Sequence, residues 1–514
     1  MSSAVSSTTK NTGKWPPLRT TFMAVLVGFG SSFSFGFQLL ITNPAQGAFI
    51  KFLNASKHSN NPDDNDLSTL ENQWSVIVAI FFLGSMTGAF FIKTVAERNV
   101  KDLTRERETM HNMFRFIRFG RKKGIMVSVL TQITSSILAI TSFWIINHYL
   151  FAFARFLMGM GITISMGIAA MFVTESSPSR CRGIASLFNG IILQSSIIIG
   201  AILAMPKILG TEHLWWTLYL FQLSINFVVL CILPIVHESP SYLASQEVKH
   251  HDSFKSKVTE AVKFYHEIPY EDAEKIADAL ITTHQISRAQ ESIFTVWISP
   301  FNRRGTFLGM MVMFAMAMSG ITVINAFAFE ILMDVGMEQD NAAFANVFIC
   351  VFSLAGIAVS TWIIDHFGRR PLIISTFGFL TVVNVAIISL MYGYAKTQNQ
   401  IVSYLLISSI CMFNFLFAMG PGPLSMFITG ELVPQTCRSA SSVWTNAVMA
   451  AVRFATLTSY LPVKNCTSEP IAYALFFIAP MIIAVLVLYW KLPETKGRNV
   501  EEIREEYERK ALLQ

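Results

Sequence analysis

Twelve apolar stretches, each long enough to cross a bilayer as a helix, leave this 514-residue chain few folds to choose from. A hydrocarbon core of about 30 Å needs about 20 apolar residues in helical form, because backbone N–H and C=O groups find no water there and must bond within their own segment. The stretches run roughly over 20–41, 74–92, 124–147, 149–174, 184–206 and 214–236, and then over 306–329, 342–364, 371–395, 401–430, 439–463 and 471–490. Only 14% of residues are charged, against about 25% in a soluble domain. The expected class is an all-α membrane protein with twelve transmembrane helices in two six-helix bundles.

Two segments half a chain apart point to duplication. Glu175-Ser176-Ser177-Pro178-Ser179-Arg180-Cys181-Arg182-Gly183 and Gly430-Glu431-Leu432-Val433-Pro434-Gln435-Thr436-Cys437-Arg438-Ser439 both follow apolar stretches, and each sets a carboxylate seven positions before an arginine.

Basic residues give the topology, since they collect in cytoplasmic loops. With both ends inside, Lys10, Lys14, Arg98, Arg121, Lys122, Lys123, Arg180, Arg182, Arg303, Arg304, Arg369, Arg370, Arg438, Lys496 and Arg498 all fall on the inner side. The outer loops keep few, and the sequons at Asn54 and Asn465 both fall in loops this topology places outside, where glycosylation occurs. The net charge of +6 is then a topology signature, and no nucleic-acid partner is read from it. The expected order is a cytoplasmic tail (1–18), a six-helix bundle (19–236), an intracellular helical linker (237–305), a second bundle (306–490) and a cytoplasmic tail (491–514), in the cell membrane. The first apolar stretch is too long for a signal-peptide core and is expected to remain. Of six cysteines only Cys466 falls outside, so no external disulfide framework is expected. Within the linker, 252–293 mixes charge and apolar residues at helical spacing, and 99–117 reads as a charged inner loop of helical character.

Charged groups recur at the inner ends of spans. Arg155, Glu175, Arg182, Glu238, Asp365, Arg369, Arg370, Glu431, Arg438 and Glu494 are the candidates for inner-gate salt bridges, bidentate bonds joining neighbouring spans and the two halves.

The chain resembles the facilitative glucose transporters, sugar porters of the major facilitator superfamily. The likeness rests on Arg155-Phe156, Glu175-x-x-Pro178 with Arg182-Gly183, Glu238-Ser239-Pro240-Ser241-Tyr242-Leu243, Asp365 with Gly368-Arg369-Arg370, Gly420-Pro421-Gly422-Pro423, Glu431 with Arg438, and Pro493-Glu494-Thr495-Lys496-Gly497-Arg498. It implies a midplane site between two bundles and alternating access by rocking. Gly420, Pro421, Gly422 and Pro423 would break the tenth span and serve as a gate, because proline removes a helical hydrogen bond.

At the sugar site the sequence departs from the family. The seventh-span amides are replaced by Met316-Ala317-Met318-Ser319-Gly320-Ile321-Thr322, the paired aromatics become Ala326 and Phe327, the tenth-span acid and tryptophan become Ala418 and Met426, and Gly190 stands at the fifth-span glutamine. Each lost hydrogen bond removes about 0.5–1.5 kcal/mol. The candidate substrate-binding residues are Gln38, Asn189, Gln194, Thr322, Asn325, Ser353, Asn446 and Arg453. Mid-span Arg453 either lines the cavity and favours an anionic or strongly hydrogen-bonding solute, or pairs with Glu330.

The expected function is facilitative uniport of a small polar solute, with a hexose first. The alternatives are a different, possibly anionic, solute or a non-transporting sugar-sensor-like receptor. The first span has no acid of the kind proton-coupled porters use. No enzyme signature, metal-ligand spacing or cofactor motif occurs, and the partners are the solute and the bilayer, with a monomer sufficient.

Overall fold

A computed structural model describes residues 15–58, 67–96, 120–178, 180–245, 251–286, 293–434, 436–496, 498, 501, 502, 504 and 505. The charged segment 99–117 lies outside the described residues, as does the side chain of Asp365.

Among the described residues, eleven helices are long and apolar enough to cross a membrane: Leu18–Leu40, Ser68–Ile92, Gly120–Ile145, His148–Ser176, Arg182–Leu203, Trp216–Ile235, Pro300–Asp334, Gln339–Ser360, Arg369–Thr397, Gln400–Met426 and Glu469–Lys491. The eleventh expected span is a helix too, Arg438–Cys466. Its serines, threonines and Arg453 make it less apolar than the rest, and it survives because it is packed between the second and seventh spans. Six spans form each half, joined by the linker helices His251–His266 and Tyr270–Ile286. The face bearing the linker is called the linker face below, and its opposite the far face.

Local chemistry sets the ends. Asn147 opens the fourth span by accepting from the N–H groups of Tyr149 (2.9 Å) and Leu150 (3.2 Å), satisfying amides a helix start leaves bare. Asn399 does the same for the tenth at Ile401 (3.0 Å). The tenth span breaks where expected, with Gly420 at φ −124° and ψ −82° and Pro421 starting a new helix, Pro421–Leu432. A second break was not anticipated: Gly320, at φ +102°, divides the seventh span into Pro300–Ala317 and Ile321–Asp334, a conformation glycine adopts at little cost.

Two glycines fix the core of the first half. A Cβ at Gly159 would lie 1.9 Å from the carbonyl oxygen of Phe81, and one at Gly84 would lie 2.0 Å from that of Phe156. The second and fourth spans therefore touch backbone to backbone, the small-residue packing membranes favour. This contact sets Phe81 beside Arg155.

Candidate functional site

A small cavity lies between the halves, near mid-depth. The first half contributes Gln38, Thr42, Phe81, Phe82 and Arg155, and the second contributes Thr322, Asn325, Ala326 and Arg453. Arg155 is 2% exposed. Its Nη1 donates to Gln38 Oε1 (2.7 Å) and Nη2 to the Val78 carbonyl (3.4 Å), and its guanidinium lies 5.1 Å from the Phe81 ring centre. Gln38 donates in turn to Gln222. A second buried chain runs from Ser34 through Asn226 and Gln132 to Ser165, with bonds of 3.2–3.3 Å, so these four side chains satisfy one another.

Arg453, 5% exposed, is different. Its guanidinium stands 5.5 Å from the Phe82 ring centre, and among the described residues it makes no hydrogen bond like those of Arg155 to Gln38 and Val78. The expected alternative, pairing with Glu330, is not formed: Glu330 accepts from Lys464 Nζ (2.7 Å) and Gln46 Nε2 (2.7 Å) at the far face. No acidic side chain lines the cavity among the described residues.

Four expected substrate residues, Gln38, Thr322, Asn325 and Arg453, border the cavity together. Four others do not line it. Gln194 donates to the Cys350 carbonyl (3.0 Å) and so ties the fifth span to the eighth. Asn189 faces the first span at Gly28, Ser353 is buried in the eighth, and Asn446 is half-buried toward the linker face. Arg155, expected in the inner gate, belongs to the cavity instead. It lies 175 − 155 = 20 residues before Glu175 on one continuous helix, about 30 Å away at 1.5 Å per residue. Its true environment is legible only from the fold, as are the roles of Phe81, Phe82 and Thr42. Trp444 points away from the cavity: its Nε1 donates to the Ile293 carbonyl (3.0 Å), and its ring meets Phe90, Phe294 and Trp297 where the linker enters the second half.

The linker face carries two matching latches. In the first half Arg121 grips Glu175 with two bonds (Nη2–Oε1 2.8 Å, Nε–Oε2 3.0 Å), and Ser239 donates to the same carboxylate. Glu238 Oε1 accepts the N–H groups of Arg121 (3.1 Å), Lys122 (3.0 Å) and Ser239 (3.1 Å), capping the third span; burial pushes its carboxyl above the ordinary value. In the second half Arg369 Nε stands 3.6 Å from Glu431 Oε1, Thr495 donates to Glu431, and Glu494 accepts from the N–H groups of Arg369 (2.9 Å), Arg370 (3.2 Å), Thr495 (3.0 Å) and Lys496 (2.9 Å). Arg182 and Arg438 are exposed and form no ion pair with these glutamates. The glutamates bond instead to the arginine of a repeated Gly-Arg-basic element, Gly120-Arg121-Lys122 and Gly368-Arg369-Arg370, a repeat that could have been read from the sequence. Both ion pairs join spans within one half rather than across the halves.

Hydrogen-bonded ties across the halves lie at mid-depth and on the far face, in addition to the Phe90–Trp444 ring contact near the linker. Besides Gln46–Glu330 and Gln194–Cys350, the Phe329 N–H donates to Asn43 Oδ1 (2.9 Å), Ser75 donates to the Leu457 carbonyl, and Asn465 Nδ2 donates to Asn72 Oδ1 (3.3 Å). The far side of the cavity is thus closed. Neither sequon sits in a loop, contrary to expectation. Asn54 lies in the helix Gln46–His58, where Ser56 is buried against His148 (2.8 Å), and Asn465 lies in the last turn of Arg438–Cys466.

The linker docks on the first half. Tyr265 is fully buried against Phe172 and bonds the His237 carbonyl, Thr20 donates to the Tyr265 carbonyl (2.5 Å), and the Arg19 N–H donates to Glu267 (3.0 Å). Burial, with Arg180 and Arg182 nearby, lowers the His266 pKa to about 4. The docked state therefore holds His266 neutral, while the undocked one takes up a proton near 6.5. Docking is at full strength above about pH 6.5 and weakens as pH falls from there toward 4, by about 1 kcal/mol at pH 5.5 for a half-buried ring. Amide exchange over 251–266, corrected for intrinsic rates, should be faster at pH 5.5 than at 7.5, and His266→Gln should reduce the difference, the remainder belonging to His237, whose ring meets Phe264 and whose pKa burial also lowers.

A family model described as "Sugar (and other) transporter" matches residues 111–507. Facilitated glucose transporter member 3 of solute carrier family 2 from Ovis aries is 24% identical over 493 residues, covering 94% of this chain and 92% of its own. Member 9 from Mus musculus is 25% identical over 500 residues, 97% and 87% of the two chains. Among solved structures, the inward-open xylose transporter XylE from E. coli superposes with a TM-score of 0.69 at 17% identity, over 94% of this chain and 98% of that one. A partially occluded inward-open form of the same transporter gives 0.70 at 16%, over 93% and 99%.

Proposed function

Because the chain belongs to the sugar (and other) transporter family, as a divergent member of the major facilitator superfamily, we propose that it carries a small solute of the sugar class, hexose-sized, across the cell membrane by alternating access. The family comprises carriers and not enzymes. The observation that carries the reading is a cavity built from both halves, closed on the far side by ties between halves. Rocking the halves would break the Asn43, Gln46 and Asn72 ties and open the far side, and Arg121–Glu175 and Arg369–Glu431 would hold the ends of each half rigid meanwhile. The break at Gly420 would let the tenth span bend as the linker face closes. Gln38, Thr322 and Asn325 would meet the hydroxyls of the solute.

The mode is uniport, since neither the first span nor the cavity offers a carboxylate to carry a proton. Both termini and the linker face the cytoplasm, following the basic residues. Counterflow into liposomes holding the purified protein tests the reading, with a panel of radiolabelled neutral hexoses and sugar acids. The expected result is trans-acceleration of at least one panel member, indifferent to an imposed pH gradient. Absence of counterflow for every member from monodisperse protein would remove the carrier reading, and dependence on the pH gradient would replace uniport with coupled transport.

A further inference from the structure

We propose that the central site takes an anion, a sugar acid whose carboxylate is held by Arg155 and Arg453 while its hydroxyls meet Gln38, Thr322 and Asn325. The inference rests on the carrier reading above and names its substrate class.

Two guanidiniums border one cavity, each at least nineteen-twentieths buried. They flank adjacent residues, Arg155 over Phe81 and Arg453 over Phe82, whose rings meet edge-on at 5.2 Å. The Nε of both has no partner. Buried charges are ordinarily paired, and the seventh-span acid Glu330 is already engaged by Lys464 and Gln46. What compensates the charges within the protein is the face of each ring, plus the Gln38 amide, the Val78 carbonyl and the neighbouring Tyr219 for Arg155. Among the described residues, Arg453 has only the ring. A neutral hexose would leave the Arg453 charge uncompensated as it displaced water, whereas a carboxylate supplies the missing counter-charge in the planar geometry that guanidinium binds with two parallel bonds, with Arg155 adding its field from across the cavity. The remaining lining is polar but neutral, and suits hydroxyls.

The test uses the full chain in liposomes with D-glucuronate and D-glucose as probes. Uniport of a monoanion moves one negative charge, so an inside-positive potassium diffusion potential of about 60 mV should drive about tenfold accumulation of glucuronate and none of glucose. Arg453→Gln should cut glucuronate uptake at least about tenfold, the scale of one lost charged contact, and Arg453→Lys should restore part of it. In detergent, glucuronate should raise the thermal midpoint of the wild type more than glucose or chloride does, and should not raise that of Arg453→Gln. Glucuronate that stabilises but does not cross, with no counterflow of any panel member, would keep the site and remove the carrier reading. Glucose transport without glucuronate binding would keep the carrier and overturn the site. Equal stabilisation by chloride, an inorganic-anion site only, would also overturn it, as would glucuronate uptake indifferent to voltage or to Arg453→Gln.

Discussion

Gly159→Val is expected to prevent the first half from assembling. The new Cβ would fall 1.9 Å from the Phe81 carbonyl oxygen and close to the Ser85 N–H. Both are backbone atoms of a continuous helix, so no rotamer change can relieve the overlap, and the second and fourth spans must move apart along the face that aligns Phe81 with Arg155. Core overpacking usually costs about 1–3 kcal/mol; a clash against rigid backbone belongs in the rarer class above about 4 kcal/mol. Size-exclusion profiles of a fluorescent fusion should show aggregate for Gly159→Val and a reduced monodisperse peak for Gly159→Ala. Gly190→Ala is the matched control, because a Cβ there meets nothing within 4 Å. A Gly159→Val variant with wild-type yield and thermal midpoint would show that the close approach is not what holds these spans.

The two latches should differ in strength despite their shared design. Arg121 has a side chain only 9% exposed and grips Glu175 in two short bonds, while Arg369 is 23% exposed and stands at 3.6 Å from Glu431. Glu175→Gln keeps the shape but leaves a buried guanidinium without its counter-charge. Removal of one partner from a fully buried pair costs about 3–5 kcal/mol; with Glu175 20% exposed, about 2 kcal/mol is expected. Glu431→Gln falls nearer the exposed-pair range, at most about 1 kcal/mol. The thermal midpoint in detergent should therefore fall further for Glu175→Gln, and the double variant should show the sum, since the pairs sit in different halves and share no partner. Equal effects, or a strongly non-additive double variant, would mean that the latches act across the halves after all.

Much of the fold was legible in the chain. All twelve expected spans are helices, and the amphipathic linker helices, the tenth-span break at Gly420 and the doubling of the latch glutamates all follow from local features: apolar length, helical spacing, proline and glycine chemistry, and repeated motifs. The second break was less legible, since Gly320 sits in the seventh span with no proline beside it, and only its φ of +102° marks the role. Half of the expected substrate residues border the cavity, and these lie on spans facing across the interface between the halves.

The sequence alone determined that this chain must live in a bilayer as a doubled set of helices, because burial of backbone polar groups leaves an apolar stretch of 20 residues no other solution. It also determined which ends carry the latches, since the repeats lie at the ends of apolar stretches. Which side chain meets which was decided only in three dimensions. Glu175 is bound by Arg121, 54 positions away, and not by Arg182; Arg155 meets Gln38, 117 positions away; Glu330 meets Lys464 and leaves Arg453 bare. Each of these pairings depends on how far a helix is rotated about its axis and slid along its neighbour. Those two quantities are fixed by close contacts such as Gly159 on Phe81, between residues the chain order keeps far apart.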